Sequence, residues 1–431
     1  ASFGYNFEGA LQEYVLMDER IITSPEGVSM LIPASDKQSA AAIALVEPWA
    51  CVEDAYSVTE RTTLEAGGEM LVVAEDEVDI VAFGDLLDRY GYPGNLCWVS
   101  KLEIPHLSRV AVREVAELSE LDGEVVFDDV LYFGSDPRVV EELMSKVAAH
   151  GLLNIVLGGG KLGRDVVTQV GRVHYGGIRI IGTVGSDPAE AMAAIPATGE
   201  IRSGDRINIV GAAGPMGAMH AIRNICQGVD GVSVFAGDLD DVRLEVLNKV
   251  AKPLSMKYHV PYRAYNPTKE TLDEEFDYVV LMAPVPKLVA AAITTGAEGA
   301  IINIFAGIPA TVTGTMNLQK YIEKKMYFIG TSGSTLDDMK TVLAKVESNQ
   351  LDTNLSVAAV SGLDGAVEGI RAVEKQSIAG KIIVYPGCKG LGLIKLEELP
   401  EKLPEVAILL KDGVWNQAAE KELINIYTGP E

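Results

Sequence analysis

A glycine-rich stretch in the middle of the chain has the residue types and spacing of a phosphate-binding turn. Residues 207–210 form a short apolar run that predicts a buried strand, and residues 218–222 have the composition of a starting helix. Between them lie Gly211, Ala212, Ala213, Gly214, Pro215, Met216 and Gly217. A strand, a glycine turn and a helix N-terminus let backbone N–H groups and the helix dipole stabilise an anion. We therefore predict dinucleotide binding here; the alternative is a strand–helix turn that binds no nucleotide.

An acidic residue follows this turn at a distance that suits the same ligand. Residues 231–237 predict a second strand, and Asp238 stands at its end, 24 residues after Gly214. A carboxylate in this place accepts hydrogen bonds from a ribose diol and repels a 2′-phosphate. The pair of features predicts NAD(H) as the cofactor, with NADP(H) less favoured.

Composition sets the class of protein and excludes several partners. The 431 residues are 48% hydrophobic and include 43 glycines, which is typical of a globular α/β protein with two or three domains. With 36 basic and 61 acidic side chains the net charge is −25, so neither nucleic acid nor an anionic membrane is expected as a partner. No apolar run approaches the roughly 20 residues of a membrane span, and no signal peptide is visible. Because the four cysteines are dispersed, we expect a cytoplasmic location.

The order of predicted elements indicates an internal duplication. Strands alternate with helices over residues 68–183 and again over 204–331, which predicts two parallel sheets. Residues 127–132 match 276–281 at an offset of 149 positions, and a later Gly-Thr-x-Gly-Ser segment at 182 recurs at 330, an offset of 148. The chain is thus predicted to hold two Rossmann-like units in tandem.

The two predicted units differ at the turn that follows their first strand. In the first unit the strand over residues 70–74 leads into four carboxylates: Glu75, Asp76, Glu77 and Asp79. These side chains would repel a pyrophosphate and block close approach of the backbone. We interpret the first unit as structural or repurposed and the second as the cofactor binder. A divalent cation at the acidic run is the alternative to a solvated turn.

Four segments resemble the medium-chain dehydrogenase/reductase superfamily, and within it the L-sorbose-1-phosphate reductase-like branch. They are residues 9–15, 44–52, 211–217 and 380–384. The resemblance implies an α/β fold in which parts of a GroES-like, β-rich catalytic domain flank the Rossmann portion. Here that portion is two tandem, doubly wound parallel-sheet units. The implied domains are a partial catalytic domain (1–62), a degenerate Rossmann-like unit (63–200), the dinucleotide-binding unit (201–350), and a return to the catalytic domain with C-terminal helices (351–431).

The same resemblance implies a zinc site, for which this sequence supplies one matching residue. Residues 39–60 have helical composition that is interrupted at Glu47 and Pro48. Glu47 matches a Glu-Pro position that contacts zinc directly or through water in polyol and threonine dehydrogenases. Catalytic zinc needs three protein ligands, and the family's Cys and Gly-His-Glu motif is not found. Glu47 is therefore a candidate catalytic and weak metal residue, with a second chain completing the site; otherwise it is a helix-entry residue.

Two further groups are candidates from the resemblance. His174, next to Tyr175, resembles a His-Tyr pair of the same branch and would relay protons; the alternative is a structural role. Asn303, Phe305 and Ala306 follow a predicted strand, and with a second pair, Ala283 and Pro284, they are implied to flank the nicotinamide.

The sequence as a whole favours an NAD(H)-dependent medium-chain oxidoreductase that transfers hydride to or from a polyol, sugar or sugar phosphate. The alternative is a non-catalytic nucleotide-binding or scaffold subunit that needs a partner chain for chemistry. A homo-oligomer is expected from the resemblance alone.

Overall fold

A computed structural model describes residues 3–102, 109–331 and 333–429, and two six-stranded parallel sheets dominate it. The first sheet contains β1 (Glu69–Ala74), β2 (Asn95–Ser100), β3 (Ala111–Val115), β4 (Phe127–Phe133), β5 (Val147–Val156) and β7 (Arg179–Thr183). The second contains β8 (Arg206–Val210), β9 (Ser233–Gly237), β10 (Tyr262–Tyr265), β11 (Phe276–Leu281), β12 (Gly296–Ile304) and β14 (Tyr327–Ile329). A two-stranded sheet pairs β6 (Val166–Thr168) with β13 (Gly314–Met316).

Helices cover both sheets and connect their strands. The first unit has α4 (Ile80–Tyr90), α5 (Pro137–Leu143), α6 (Gly171–Tyr175) and α7 (Ala189–Ala193). The second has α8 (Pro215–Cys226), α9 (Asp241–Tyr258), α10 (Pro286–Thr295), α11 (Leu318–Glu323) and α12 (Leu336–Glu347). Before the first sheet lie α1 (Glu19–Ile22), α2 (Ala40–Ala44) and α3 (Val46–Ser57). No helix within the described ranges has both the length and the apolar character to cross a membrane.

The last part of the chain forms a smaller, separate sheet. Its strands are β15 (Val357–Ser361), β16 (Lys381–Val384) and β17 (Ile394–Lys395), and its helices are α13 (Ala366–Glu374), α14 (Leu399–Lys402), α15 (Pro404–Ala407) and α16 (Gln417–Thr428). The predicted domain boundaries at 62, 200 and 350 remain predictions.

Both large sheets have the same strand order, which confirms the predicted fold class. The orders are β3-β2-β1-β4-β5-β7 and β10-β9-β8-β11-β12-β14, the doubly wound arrangement in which the order reverses beside the first strand. The central strands are apolar on both faces because helices cover both faces of a parallel sheet. One hydrophobic cluster contains residues of both units, among them Val130, Leu153, Val279, Ile302 and Phe328, so the two sheets share a core.

The structure differs from the sequence prediction at the helix entry near Glu47. The break lies at Leu45, between α2 and α3, and Pro48 stands within the first turn of α3. Proline is tolerated in a first turn because its missing N–H would have no partner inside the helix. Glu47 therefore lies on a continuous helix and not at an interruption.

Candidate nucleotide-binding site

A cleft of about 940 Å³ opens at the carboxyl ends of β8, β9 and β11. This is the point at which the strand order of the second sheet reverses, where open α/β sheets bind ligands. Eight of the predicted cofactor residues line it: Gly211, Gly214, Pro215, Met216, Gly217, Asp238, Ala283 and Pro284. The structure thus brings the turn, the acidic residue and the Ala-Pro pair to one cavity.

The turn between β8 and α8 has the backbone geometry that phosphate binding requires. Gly211 has a φ of +87°, which favours glycine, and its N–H donates to Gly237 O at 2.8 Å. A Cβ at Gly217 would lie 2.3 Å from Gly211 O, so only glycine lets the helix pack this closely against the strand. Gly214 is the N-cap of α8 and offers no side chain to its N–H groups. The helix N-terminus therefore keeps donors for an anion.

Asp238 is held at the end of β9 by the turn itself. Its carboxylate accepts hydrogen bonds from the N–H of Ala213 at 3.0 Å and of Asp240 at 3.1 Å. Ala213 and its neighbour Ala212 are buried beneath the turn and do not line the cleft. These bonds fix the carboxylate beside the glycine turn.

Arg243 is a residue of the cleft that the sequence reasoning did not identify. It lies in the first turn of α9, and its Nη2 would be 3.6 Å from a Cβ placed on Gly214. Its Nε is buried and has no hydrogen-bond partner within the described part of the chain. A guanidinium in this position suits a phosphate oxygen. Nothing in the local sequence distinguishes it from the other basic residues of α9.

A second cation reaches the same turn from the small C-terminal sheet. Lys381, at the start of β16, places its Nζ 3.3 Å from the Met216 sulfur. Burial lowers the pKa of Lys381, and the negative charge of Glu47 opposes that shift. Glu47 in turn accepts from the Cys51 thiol at 3.5 Å, and burial together with Glu47 raises the pKa of Cys51. The structure therefore places Glu47 beside the cleft, with a lysine and a thiol as neighbours.

This cluster does not fit catalytic zinc. Across residues 3–102, 109–331 and 333–429, no three side chains of the His, Cys, Asp or Glu type converge in a way that could hold a metal ion. Of Glu47's two polar neighbours one is a cation, whereas catalytic zinc takes three protein ligands. We assign no zinc to these residues and derive no step through it.

Three predicted nicotinamide neighbours lie outside the cleft lining. The Asn303 amide donates to Ala55 O at 3.1 Å and to the Tyr278 hydroxyl at 3.2 Å, and it is fully buried. The Phe305 ring packs edge-on against the His220 ring, with centroids 4.5 Å apart. The backbone N–H of Ala306 donates a hydrogen bond to a carbonyl oxygen of β11. Their role at the nicotinamide remains a prediction.

His174 lies at the contact between the two units. Its Nδ1 is 3.0 Å from Ile304 O at the end of β12, and burial lowers its pKa. The adjacent Tyr175 hydroxyl would be 2.7 Å from a Cβ on Gly307. The pair thus packs against the chain that leaves β12, and the predicted proton relay remains a prediction.

Comparison with known proteins gives sequence relatives that match parts of this chain. No family model matches. "Uncharacterized protein YggP" of Escherichia coli K12 is 28% identical over 244 residues, which are 52% of this chain and 57% of that protein. L-sorbose 1-phosphate reductase of Klebsiella pneumoniae is 28% identical over 153 residues, 35% of this chain and 36% of the reductase. The matches therefore span about half or less of each relative's length.

Solved structures overlap with the chain more loosely. The 2R,3R-butanediol dehydrogenase of Bacillus subtilis is 18% identical, with 43% of this chain and 52% of that one covered and a TM-score of 0.36. L-idonate 5-dehydrogenase of E. coli K-12 is 14% identical, with 42% and 50% covered and a TM-score of 0.35. Scores of this size describe a local overlap only. The sequence match to L-sorbose 1-phosphate reductase, in contrast, confirms over the 153 residues that it covers the resemblance to the sorbose-phosphate reductase-like branch.

Proposed function

We propose that this protein is an NAD(H)-dependent oxidoreductase acting on a polyol, sugar or sugar phosphate. The observation that carries the proposal is the single cleft that joins the glycine turn, Asp238 and the Ala283–Pro284 pair at the reversal point of the second sheet. The partial sequence match to L-sorbose 1-phosphate reductase supports the substrate class. The cofactor supplies the chemistry by accepting or donating hydride at its nicotinamide ring.

In this proposal each residue of the cleft has a separate task. The N-terminus of α8 holds the pyrophosphate, and Arg243 and Lys381 offset its charge from two sides. Asp238 accepts hydrogen bonds from the adenosine ribose hydroxyls. If the ribose binds at Asp238 as proposed, a 2′-phosphate would meet the negative charge of this carboxylate. NADH is therefore the proposed partner over NADPH.

A non-catalytic nucleotide-binding subunit, dependent on a partner chain, is the second candidate. It is favoured by the placement of Asn303, Phe305 and Ala306 away from the cleft lining, since these residues were expected to border the reactive ring. Either candidate agrees with a cytoplasmic location, which all four cysteines support by being unpaired.

A binding titration tests the cofactor assignment. The Asp238→Ala variant should weaken NADH binding about tenfold and leave NADPH binding nearly unchanged, because the ribose contact and the repulsion are lost together. Asp230→Asn, at the exposed opposite end of β9, is the matched control and should bind NADH normally. An unchanged preference in Asp238→Ala would contradict the ribose assignment.

Turnover separates the two candidate functions. The protein with NADH is offered ketoses, ketose phosphates and aldehydes, and loss of the reduced nicotinamide absorbance is followed. Oxidation of NADH with one class supports the enzyme, and tight binding without turnover supports the subunit. Failure to bind NADH contradicts both.

A further inference from the structure

The two units contact each other through equivalent segments. Strand β6 of the first unit pairs in antiparallel register with β13 of the second, so that Val167 lies opposite Thr315. These two residues are 148 positions apart, which is the offset of the duplication near this point. Val166 pairs with Met316 and Thr168 with Gly314. At an offset of 148, Gly314 is the equivalent of Val166 and Met316 is the equivalent of Thr168, so exchanging the two units leaves the pairing unchanged. This is the pattern of a two-fold axis through Val167 and Thr315.

A second pair of contacts follows the same rule at a different place. A Cβ on Gly182 of the first unit would lie 2.8 Å from Ile322 Cγ1 of the second. A Cβ on Gly330 of the second would lie 2.9 Å from the His174 Cα of the first. Gly182 and Gly330 are 148 positions apart, as are His174 and Ile322. The contact that Gly182 of the first unit makes with the second unit is thus also made by the equivalent Gly330 of the second unit with the first. Such reciprocal contacts define an isologous interface.

The interface is also packed as a core and not as a loose domain contact. Edge strands β7 and β14 lie against each other, and the Tyr321 hydroxyl donates to Ile180 O of β7 at 2.7 Å. Val173 and Ile180 of the first unit share one buried cluster with Tyr321 and Ile322 of the second. Both edges are therefore covered within one chain.

We infer that the first unit occupies the place that a second subunit takes in a two-fold dimer. The chain carries its own partner, so the purified protein is a monomer and does not associate with another copy of itself through β7 and β14. This inference goes beyond the proposed function and holds whichever of the two candidate functions is correct. It also replaces the expectation of a homo-oligomer with an internal pair.

An engineered cross-link tests whether the pairing is internal. Residues directly opposite in an antiparallel pair have Cβ atoms about 5 Å apart, within reach of a disulfide after small adjustment. The double variant V167C/T315C places two cysteines at exposed positions on the pseudo-two-fold axis. After mild oxidation we expect a bond within one chain, seen as monomer mobility without reductant. V167C and T315C alone control for bonds to the native cysteines.

Light scattering of the unmodified chain gives an independent measurement that needs no variant. A particle of 46.0 kDa, unchanged over a hundredfold dilution, together with an intrachain bond supports the inference. Disulfide-linked dimers of the double variant, or a particle of twice the monomer mass, would overturn it. NADH affinity is not a readout of either experiment, so their result is independent of the cofactor assignment.

Discussion

The two units of this chain share one strand order but end their first strand in opposite ways. In the first unit Asp79 caps α4, and its Oδ1 accepts from the N–H of Val81 at 3.0 Å and of Ala82 at 3.1 Å. In the second unit the equivalent cap is Gly214, which leaves the N–H groups of α8 without a side-chain partner. A helix whose N-cap side chain accepts from two of its first N–H groups has fewer donors to offer a phosphate. The residue at the cap is therefore one of the differences between the two turns.

The first unit also differs in the groups that line its cleft, a cavity of about 620 Å³ bordered by the carboxylates of Glu75, Asp76 and Asp136. The Tyr132 hydroxyl donates to the Glu75 carboxylate and accepts from the Asp136 N–H at 2.8 Å. Burial and the nearby carboxylate raise the pKa of Tyr132, so the phenol keeps its proton. A Cβ on Gly134 would lie 2.7 Å from this hydroxyl. The difference teaches that the fold supplies a place for a site, whereas turn residues decide whether it is one.

The helices that follow these turns, α4 and α8, also differ in the side chains that they bury. Helix α4 buries only Phe83, Leu86, Leu87 and Tyr90, whereas α8 also buries polar side chains, including Arg223. The Arg223 side chain is 2% exposed and pairs with Glu53 of α3 at 3.0 Å.

The largest predicted effect concerns this buried ion pair. Arg223→Met should lower the free energy of unfolding by about 3 kcal/mol, because Glu53 loses its main partner in a buried site. Arg89→Met on the equivalent helix α4 is the matched control, since Arg89 is exposed, and should change stability by less than about 0.5 kcal/mol. Urea denaturation measures both. Equal losses would show that α4 and α8 do not differ in this way.

The next largest effect is expected when the N-cap of α8 is given an aspartate like that of α4. Gly214→Asp should weaken NADH binding about 100-fold, because a carboxylate would cap α8 and repel the pyrophosphate. The variant should stay folded, since aspartate is a favoured N-cap. Gly214→Asn caps the helix equally well without charge and should lose much less affinity. Calorimetric titration compares the two, and an equal loss would assign the effect to shape instead of charge.

The smallest effect is expected when the N-cap side chain of α4 in the first unit is removed. Asp79→Ala should cost about 1 kcal/mol of stability through the lost cap, and Asp79→Asn should restore most of it. NADH should still bind with one equivalent per chain, because the carboxylates of Glu75, Asp76 and Asp136 continue to repel a pyrophosphate in the first unit. A second equivalent in the titration of Asp79→Ala would contradict that explanation.

Sequence reasoning identified the features that depend on local pattern. The duplication, the glycine turn and Asp238 were predictable because apolar runs, glycines and spacing are written along the chain. Arg243 and Lys381 were not, since only folding brings β16 and the first turn of α9 to the cradle.

Other features depend on tertiary contacts, which the local sequence does not show. The local sequence gives little indication of edge strand β3, because most of its residues are exposed and it lacks a continuous apolar run. Asn303 follows the expected pattern of a residue at a strand end, yet its amide is bonded to Ala55 and Tyr278 inside the core. The spacing of residues along the chain does not predict hydrogen bonds between such distant positions.

The pairing of β6 with β13 has a consequence for how the chain is made. Ribosomes extend chains at about 5–20 residues per second, so the 148 positions between Val167 and Thr315 take about 7–30 s to synthesise. Once β7 and α7 have been made, the first unit lacks only its partner, and its edge at β7 stays uncovered until β14 follows. Such surfaces are where nascent chains aggregate or bind chaperones. Carrying a partner in the same chain therefore removes the need to find one but delays the moment at which the first half is protected.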